Sequence, residues 1–239
     1  MAVTSSASKL IEANDWASLQ HAYGPAEDTP AALVDLLNGA ADARAMALGH
    51  LNHAVHHQNS LYTATAPSAL YVAAILSDPR TDSLIRGGEG QWYPLRQALL
   101  DWLGSVAGEA GNEVEATLLR LGFLPEEYPA LSEVRAIRPT LFEAASTFLH
   151  DSDPTIREAA LAAVVPLLDA PELTHHRAVL APMVRGILAA SSNRAYRAIA
   201  IHGLDAWGED VSSLIPPAEA TAYGHGPWPA ANFSSEPPF

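Results

Sequence analysis

The chain has 239 residues, about half of them apolar, enough for a continuous core in one large domain or two small ones, which excludes disorder over most of its length. Thirteen lysines and arginines face 27 aspartates and glutamates, a formal charge of -14 that repels phosphate backbones and attracts basic proteins, so nucleic acid is not an expected partner. Cysteine is absent, which removes disulfides, thiolate zinc sites and cysteine nucleophiles together and leaves histidine and carboxylate as the remaining metal ligands.

Residues 1–29 read as an N-terminal helical cap. Met1 to Lys9 is polar and lacks the apolar stretch of a signal peptide, and no run of about 18 apolar residues follows, so the expectation is a cytoplasmic chain with no membrane partner. Lys9 is the sole lysine and alanine is abundant, a composition that points to a high-GC bacterial genome. Residues 30–39 place Ala32, Leu33, Leu36 and Leu37 on one helical face and lead through Asn38-Gly39 into a helix over 41–57 with Leu48, Leu51 and Val55 inward. His56 to Pro67 forms a polar link dense in side-chain donors, suited to capping helix ends or to recognition.

A second pair covers 66–77 and 94–106, the latter with Leu95, Leu99, Trp102, Leu103 and Val106 apolar, so Trp102 is expected in the core. Between them lies an inserted loop, Arg80 to Tyr93, where glycines stand beside Trp92 and Tyr93; such loops often carry function on a rigid scaffold. Six glutamates between Glu109 and Glu133 make an acidic stretch that reads as a solvated face or as a surface for a basic partner. Pro139 is expected to open a helix with Leu141, Phe142, Ala145, Phe148 and Leu149 inward. Asp153-Pro154 is a strong helix start, an N-cap residue before proline, and Ile156, Ala159, Ala160, Ala163, Val164, Leu167 and Leu168 follow in one stripe, with Pro166 expected to kink or end it. A fourth pair spans about 175–190 and 193–207, and its opening His175-His176 reads as solvated surface. Residues 211–239 turn to proline, alanine, glycine and serine and read as a tail. Alternating β-branched patterns are nearly absent.

Ser152-Asp153-Pro154-Thr155-Ile156-Arg157-Glu158-Ala159-Ala160-Leu161 resembles the second-helix signature of HEAT repeats, D-x-x-V/I-R-x-x-A, with weaker echoes at Ala43 to Ala47, Leu95 to Ala98 and Tyr196 to Ala200. The resemblance covers roughly residues 30–207. It implies an all-α fold, a right-handed α-solenoid of about four to five antiparallel hairpins in residues 30–210, in which Asp and Arg form a polar ladder and the second helices line a concave groove. Two kinds of HEAT-like enzyme are not matched: iron-dependent hydroxylases use His-Glu pairs, and no His-Glu dipeptide occurs, while the DNA glycosylases present a basic groove.

His50, His53 and His57 follow i, i+3, i+7 spacing on the 41–57 helix, and by the resemblance they would face the groove. Three imidazoles rising along one helix spread over about 10 Å, too far for one ion, and no carboxylate shares those two turns, so no metal, cofactor or catalytic residue is assigned. The binding candidates are His50, His53, His57, Gln58, Tyr62, Glu89, Trp92, Tyr93 and Arg96. The leading expectation is a module that holds a protein or peptide, with a basic partner favoured by the charge, in one form an immunity-type inhibitor of a basic toxin. The alternative is an enzyme or small-molecule binder of a bacterial biosynthetic pathway, with a pocket around His53, His57, Tyr62 and Trp92.

Overall fold

A computed structural model describes residues 2–86, 90–124 and 127–215. Glu89 and the tail from residue 216 onward fall outside them. The fold is mostly helical, with ten α-helices among the described residues: α1 (Ala2–Glu12), α2 (Thr29–Asn38), α3 (Ala41–His50), α4 (Thr65–Ile75), α5 (Leu95–Glu109), α6 (Asn112–Arg120), α7 (Pro129–Ser146), α8 (Pro154–Leu167), α9 (Arg177–Met183) and α10 (Arg194–Ala206). Two short antiparallel ribbons interrupt them, β1 (Gln20–His21) with β2 (Gly24–Pro25), and β3 (Leu84–Arg86) with β4 (Trp92–Pro94). The first ribbon lies in the stretch expected to be a helical cap, and the second is the inserted loop, whose β3 packs beside α3. No described helix is long and apolar enough to cross a membrane.

Packing follows the pattern of apolar faces. α2 lies on α3, α4 on α7 and α1, α5 on α8, and α8 on both α7 and α10. α4 is apolar nearly all round, from Ala66 to Ile75, as a helix enclosed by neighbours must be. The α5 to α8 contact is the most extensive. It is allowed by Gly104: a Cβ there would stand 3.0 Å from the Ala163 Cα, so only a hydrogen lets the two backbones come this close.

Asp153 caps α8 as expected, its Oδ1 accepting from the Thr155 amide at 2.8 Å, and Arg157 then reaches back to the Asp151 carbonyl. The same construction recurs at α10, where Asn193 caps the Ala195 amide and Arg197 reaches back to the Ser191 carbonyl. Ser191 in turn donates to Glu158 on α8, tying the two helix starts together. Other arginines close helix ends. Arg44 on α3 donates to Leu37 O at the end of α2, Arg96 on α5 to Leu76 O past α4, Arg138 on α7 to Ala110 O past α5, and Arg177 on α9 to Leu168 O past α8. Each guanidinium thereby satisfies carbonyls that a helix C-terminus leaves without amides.

Two boundaries differ from the sequence expectation, at the start of α7 and at the end of the 41–57 helix. α7 begins at Pro129, not Pro139, because the Arg135 carbonyl that Pro139 cannot serve accepts from Arg138 Nε instead. Pro166 falls in the last turn of α8, which ends one residue later at Leu167, in keeping with the expectation. The helix expected over 41–57 passes at Leu51–Val55 into a π-turn, in which the Leu51 carbonyl accepts both the His56 amide and the Trp102 indole N–H at 3.1 Å. Trp102 is buried as expected.

Replacing Arg96 tests the clamps. The side chain is buried under Phe148 and also donates to Asp78 O and Asp82. Arg96→Met is expected to cost about 3 kcal/mol in urea denaturation, and Arg96→Lys to recover little of it, because an ammonium lacks the planar fork.

Candidate functional site

Two places concentrate polar chemistry. The first is the edge built by the β1–β2 ribbon, the start of α2 and the end of α3. Asp28 holds the N-cap position of α2, yet its side chain makes no capping bond. It accepts instead from His21 Nε2 at 2.9 Å, and His50 Nε2 lies 3.9 Å from the same oxygen while also bonding Thr29 Oγ1. His21 and His50 stack edge to face, and exposed Tyr23 packs against His57. Gln58 and Asn59 follow in the left-handed region, φ 49° and 59°, which asparagine adopts readily and glutamine rarely.

The donor atoms of His21, Asp28 and His50 lie within 4.8 Å of one another, close enough to share an ion. The tautomer argues against it. The Tyr23 amide donates to His21 Nδ1, so the ring proton sits on Nε2 and goes to Asp28. A metal-bound imidazole needs the reverse, a bare Nε2 and a proton on Nδ1 facing an acceptor. The arrangement is a hydrogen-bonded relay that fixes the ribbon to α2.

Beside it, His56 is buried between Ser60 O and Ser105 Oγ, and burial pushes its pKa down to about 4. Burial also lowers that of His50, with Asp28 opposing.

The second place is a cleft along α5, α8 and α10. Its lower part, about 250 Å³, runs from Gly108 and Glu113 past Asp169 and Arg177 to His202 and Trp207. Its upper part, about 190 Å³, holds Asp101, Gly104, Ala163, Asn193 and Tyr196, and Ile199 borders both. Glu113 meets His202 across the mouth at 3.5 Å, and Asp169 meets Arg177. Asp101 is exposed at the cleft, and the loss of water around its carboxyl pushes its pKa up to about 6 against the opposing hydrogen bond from Tyr196. Burial alone pushes Glu109, nearby on α5, up to about 7.

The structure divides the residues singled out from sequence. His50, His57 and Gln58 meet at the histidine edge; His53 is exposed on the π-turn, and half-buried Tyr62 precedes α4. Trp92, 57% exposed, and half-buried Tyr93 stand on β4. Arg96 is buried with its donors occupied. Glu89 lies outside the described residues. Sequence reasoning missed His21, Asp28, Asp101 and Tyr196. Asp28-Thr29-Pro30 was readable as a helix start, but not the diversion of Asp28; the pairing of Asp101 with Tyr196 joins distant segments and left no local signal.

The pH dependence of stability follows from His56. Its unfolded pKa is near 6.5 and its folded one about 4, so the unfolded state takes the proton first and stability falls as pH drops between them, by about 3 kcal/mol in full. Glu109 works in the opposite sense, gaining stability as pH falls through 7. The difference between wild type and His56→Gln in urea midpoints at pH 7 and pH 4.5 therefore isolates the histidine, and the variant is expected to lose the steeper acid sensitivity. For the relay, zinc in modest excess is expected to move the Tm by less than about 1 °C; a rise of several degrees that disappears in His21→Gln would contradict the tautomer argument. No family model, curated protein or solved structure matches this chain.

Proposed function

We propose that the chain is a HEAT-like binding module, a right-handed solenoid of helical hairpins, that holds a basic segment of another protein along α5, α8 and α10. The stacking of α4 on α7, of α5 on α8 and of α8 on α10, with the helix-start construction repeated in α8 and α10, supports the solenoid. In such an array the second helices form the concave wall.

One observation carries the binding reading: three carboxylates, Asp101, Glu113 and Asp169, stand with Arg177, His202, Asn112, Asn193 and Tyr196 around a cleft whose remaining lining is glycine, alanine and a few apolar side chains, and of the three Asp101 has no intramolecular cation. The floor excludes bulk and the carboxylates select charge. A net charge of -14 speeds the approach of a basic partner, and the carboxylates gathered in the cleft would hold it after contact.

The test uses fluorescein-labelled dodeca-arginine and anisotropy at physiological salt. Asp101→Asn combined with Glu113→Gln is expected to weaken binding about tenfold, roughly 1.4 kcal/mol, because it removes charge from the cleft. Asp42→Asn with Glu143→Gln removes the same charge from positions on α3 and α7 that do not line the cleft and is expected to leave affinity within about twofold, since salt screens charges that make no contact with the peptide. Equal losses in the two variants would mean that the peptide reads net charge alone, and the cleft reading would be lost.

A further inference from the structure

The Asp101 carboxylate has no counter-charge in this protein. Tyr196, buried on α10, donates its hydroxyl to Oδ1 at 2.6 Å. Burial and the adjacent carboxylate push the Tyr196 pKa up, so that hydroxyl keeps its proton and remains a donor. An ionised carboxylate accepts about four hydrogen bonds, so most of its capacity faces the cleft. Burial and the Asp101 charge also raise the pKa of Tyr93, which places β4 of the inserted ribbon within electrostatic reach of the same group.

All thirteen lysines and arginines lie among the described residues, and none forms an ion pair with Asp101. Arg157 and Arg197, on the two helices facing it, are committed to backbone carbonyls. The sequence beyond residue 215 contains no lysine or arginine to supply the missing cation. Asp101 is exposed at the upper part of the cleft, hydrogen-bonded by the buried Tyr196 hydroxyl and open to a cation from outside the protein. It is what a site for a cationic ligand requires.

We propose that the recess around Asp101 is a pocket for one arginine side chain of the bound partner, its guanidinium pairing with the Asp101 carboxylate beside Tyr196. The inference rests on the cleft reading above and names its anchor. Arginine fits better than lysine on two counts. Gly104, Ala162 and Ala163 give the recess a low wall of small residues suited to a flat group, and no second carboxylate lines it to replace the hydration of a compact ammonium. A planar fork can place two N–H groups on one carboxylate. Asn193 at the rim offers a further acceptor once its Oδ1 bond to the Ala195 amide is counted, since an amide oxygen has two lone pairs.

The experiment titrates terminally blocked Gly-Gly-Arg-Gly-Gly into labelled full-length protein, with the lysine and citrulline versions alongside. Citrulline keeps the shape of arginine and removes its charge. The arginine peptide is expected to shift the amide resonances of Gly104, Ala163, Ala195 and Tyr196, and to lower the Asp101 carboxyl titration from near 6 by at least about one unit. Citrulline should bind at least about tenfold more weakly and lysine several-fold more weakly. Asp101→Asn should abolish the recess shifts while leaving the rest of the spectrum in place, which separates loss of binding from loss of fold. Equal shifts from citrulline, or undiminished shifts in Asp101→Asn, would overturn the pocket. If dodeca-arginine binds through the cleft but the pentapeptide leaves the recess unshifted, the anchor is wrong and the module reading stands; if dodeca-arginine does not bind, the module reading itself falls.

Discussion

The close approach of α5 to α8 is the contact from which the rest of the molecule takes its shape. With no side chain at Gly104, the two helices meet nearly backbone to backbone there, and their larger residues, Leu99, Leu103 and Val106 on one and Ile156, Leu161 and Val164 on the other, are all buried in the core around that contact. α4 and α7 cover one side and α10 the other. The same thin seam makes the cleft: where two helices meet through glycine and alanine, little stands above the surface to fill the space beside α10. Packing and the candidate site therefore share one cause, and the small residues serve both.

Much of the helical order was legible in the sequence. Asp153-Pro154 marked the start of α8, the stripe from Ile156 to Leu168 marked its buried face, and Trp102 was rightly placed in the core. What escaped was structure created by a side chain acting at a distance. Pro139 looks like a helix start because a proline usually leaves a carbonyl unserved, and only the fold shows that Arg138 serves it. The π-turn at Leu51–Val55 depends on an indole from α5. The histidine edge was half legible: His50 and His57 were chosen by spacing along one helix, whereas their true companions, His21, Asp28 and Tyr23, come from a ribbon too short to leave an alternating pattern. Arg96 was chosen for lying beside the inserted loop, and burial makes it part of the frame.

Charge is divided by task. Arginines are drawn to the ends of helices, where Arg44, Arg96, Arg138, Arg157, Arg177 and Arg197 take up carbonyls of the main chain. These bonds consume the forked geometry that a lysine lacks, in a chain whose single lysine is Lys9. The carboxylates are left in surplus. Several cap or brace local structure, as Asp153 does, and Asp101 in the cleft has no intramolecular cation at all.

That division has a consequence for how the protein could change over evolutionary time. A guanidinium bonded to a carbonyl is held by the main chain, which persists whatever side chains surround it, so the frame places little demand on the identity of nearby acids. Of the cleft carboxylates, Asp169 belongs to the frame, accepting the Asn112 amide and pairing with Arg177, whereas exposed Glu113 can be exchanged with the scaffold unaltered. Specificity is then free to drift under selection while stability stays where it is.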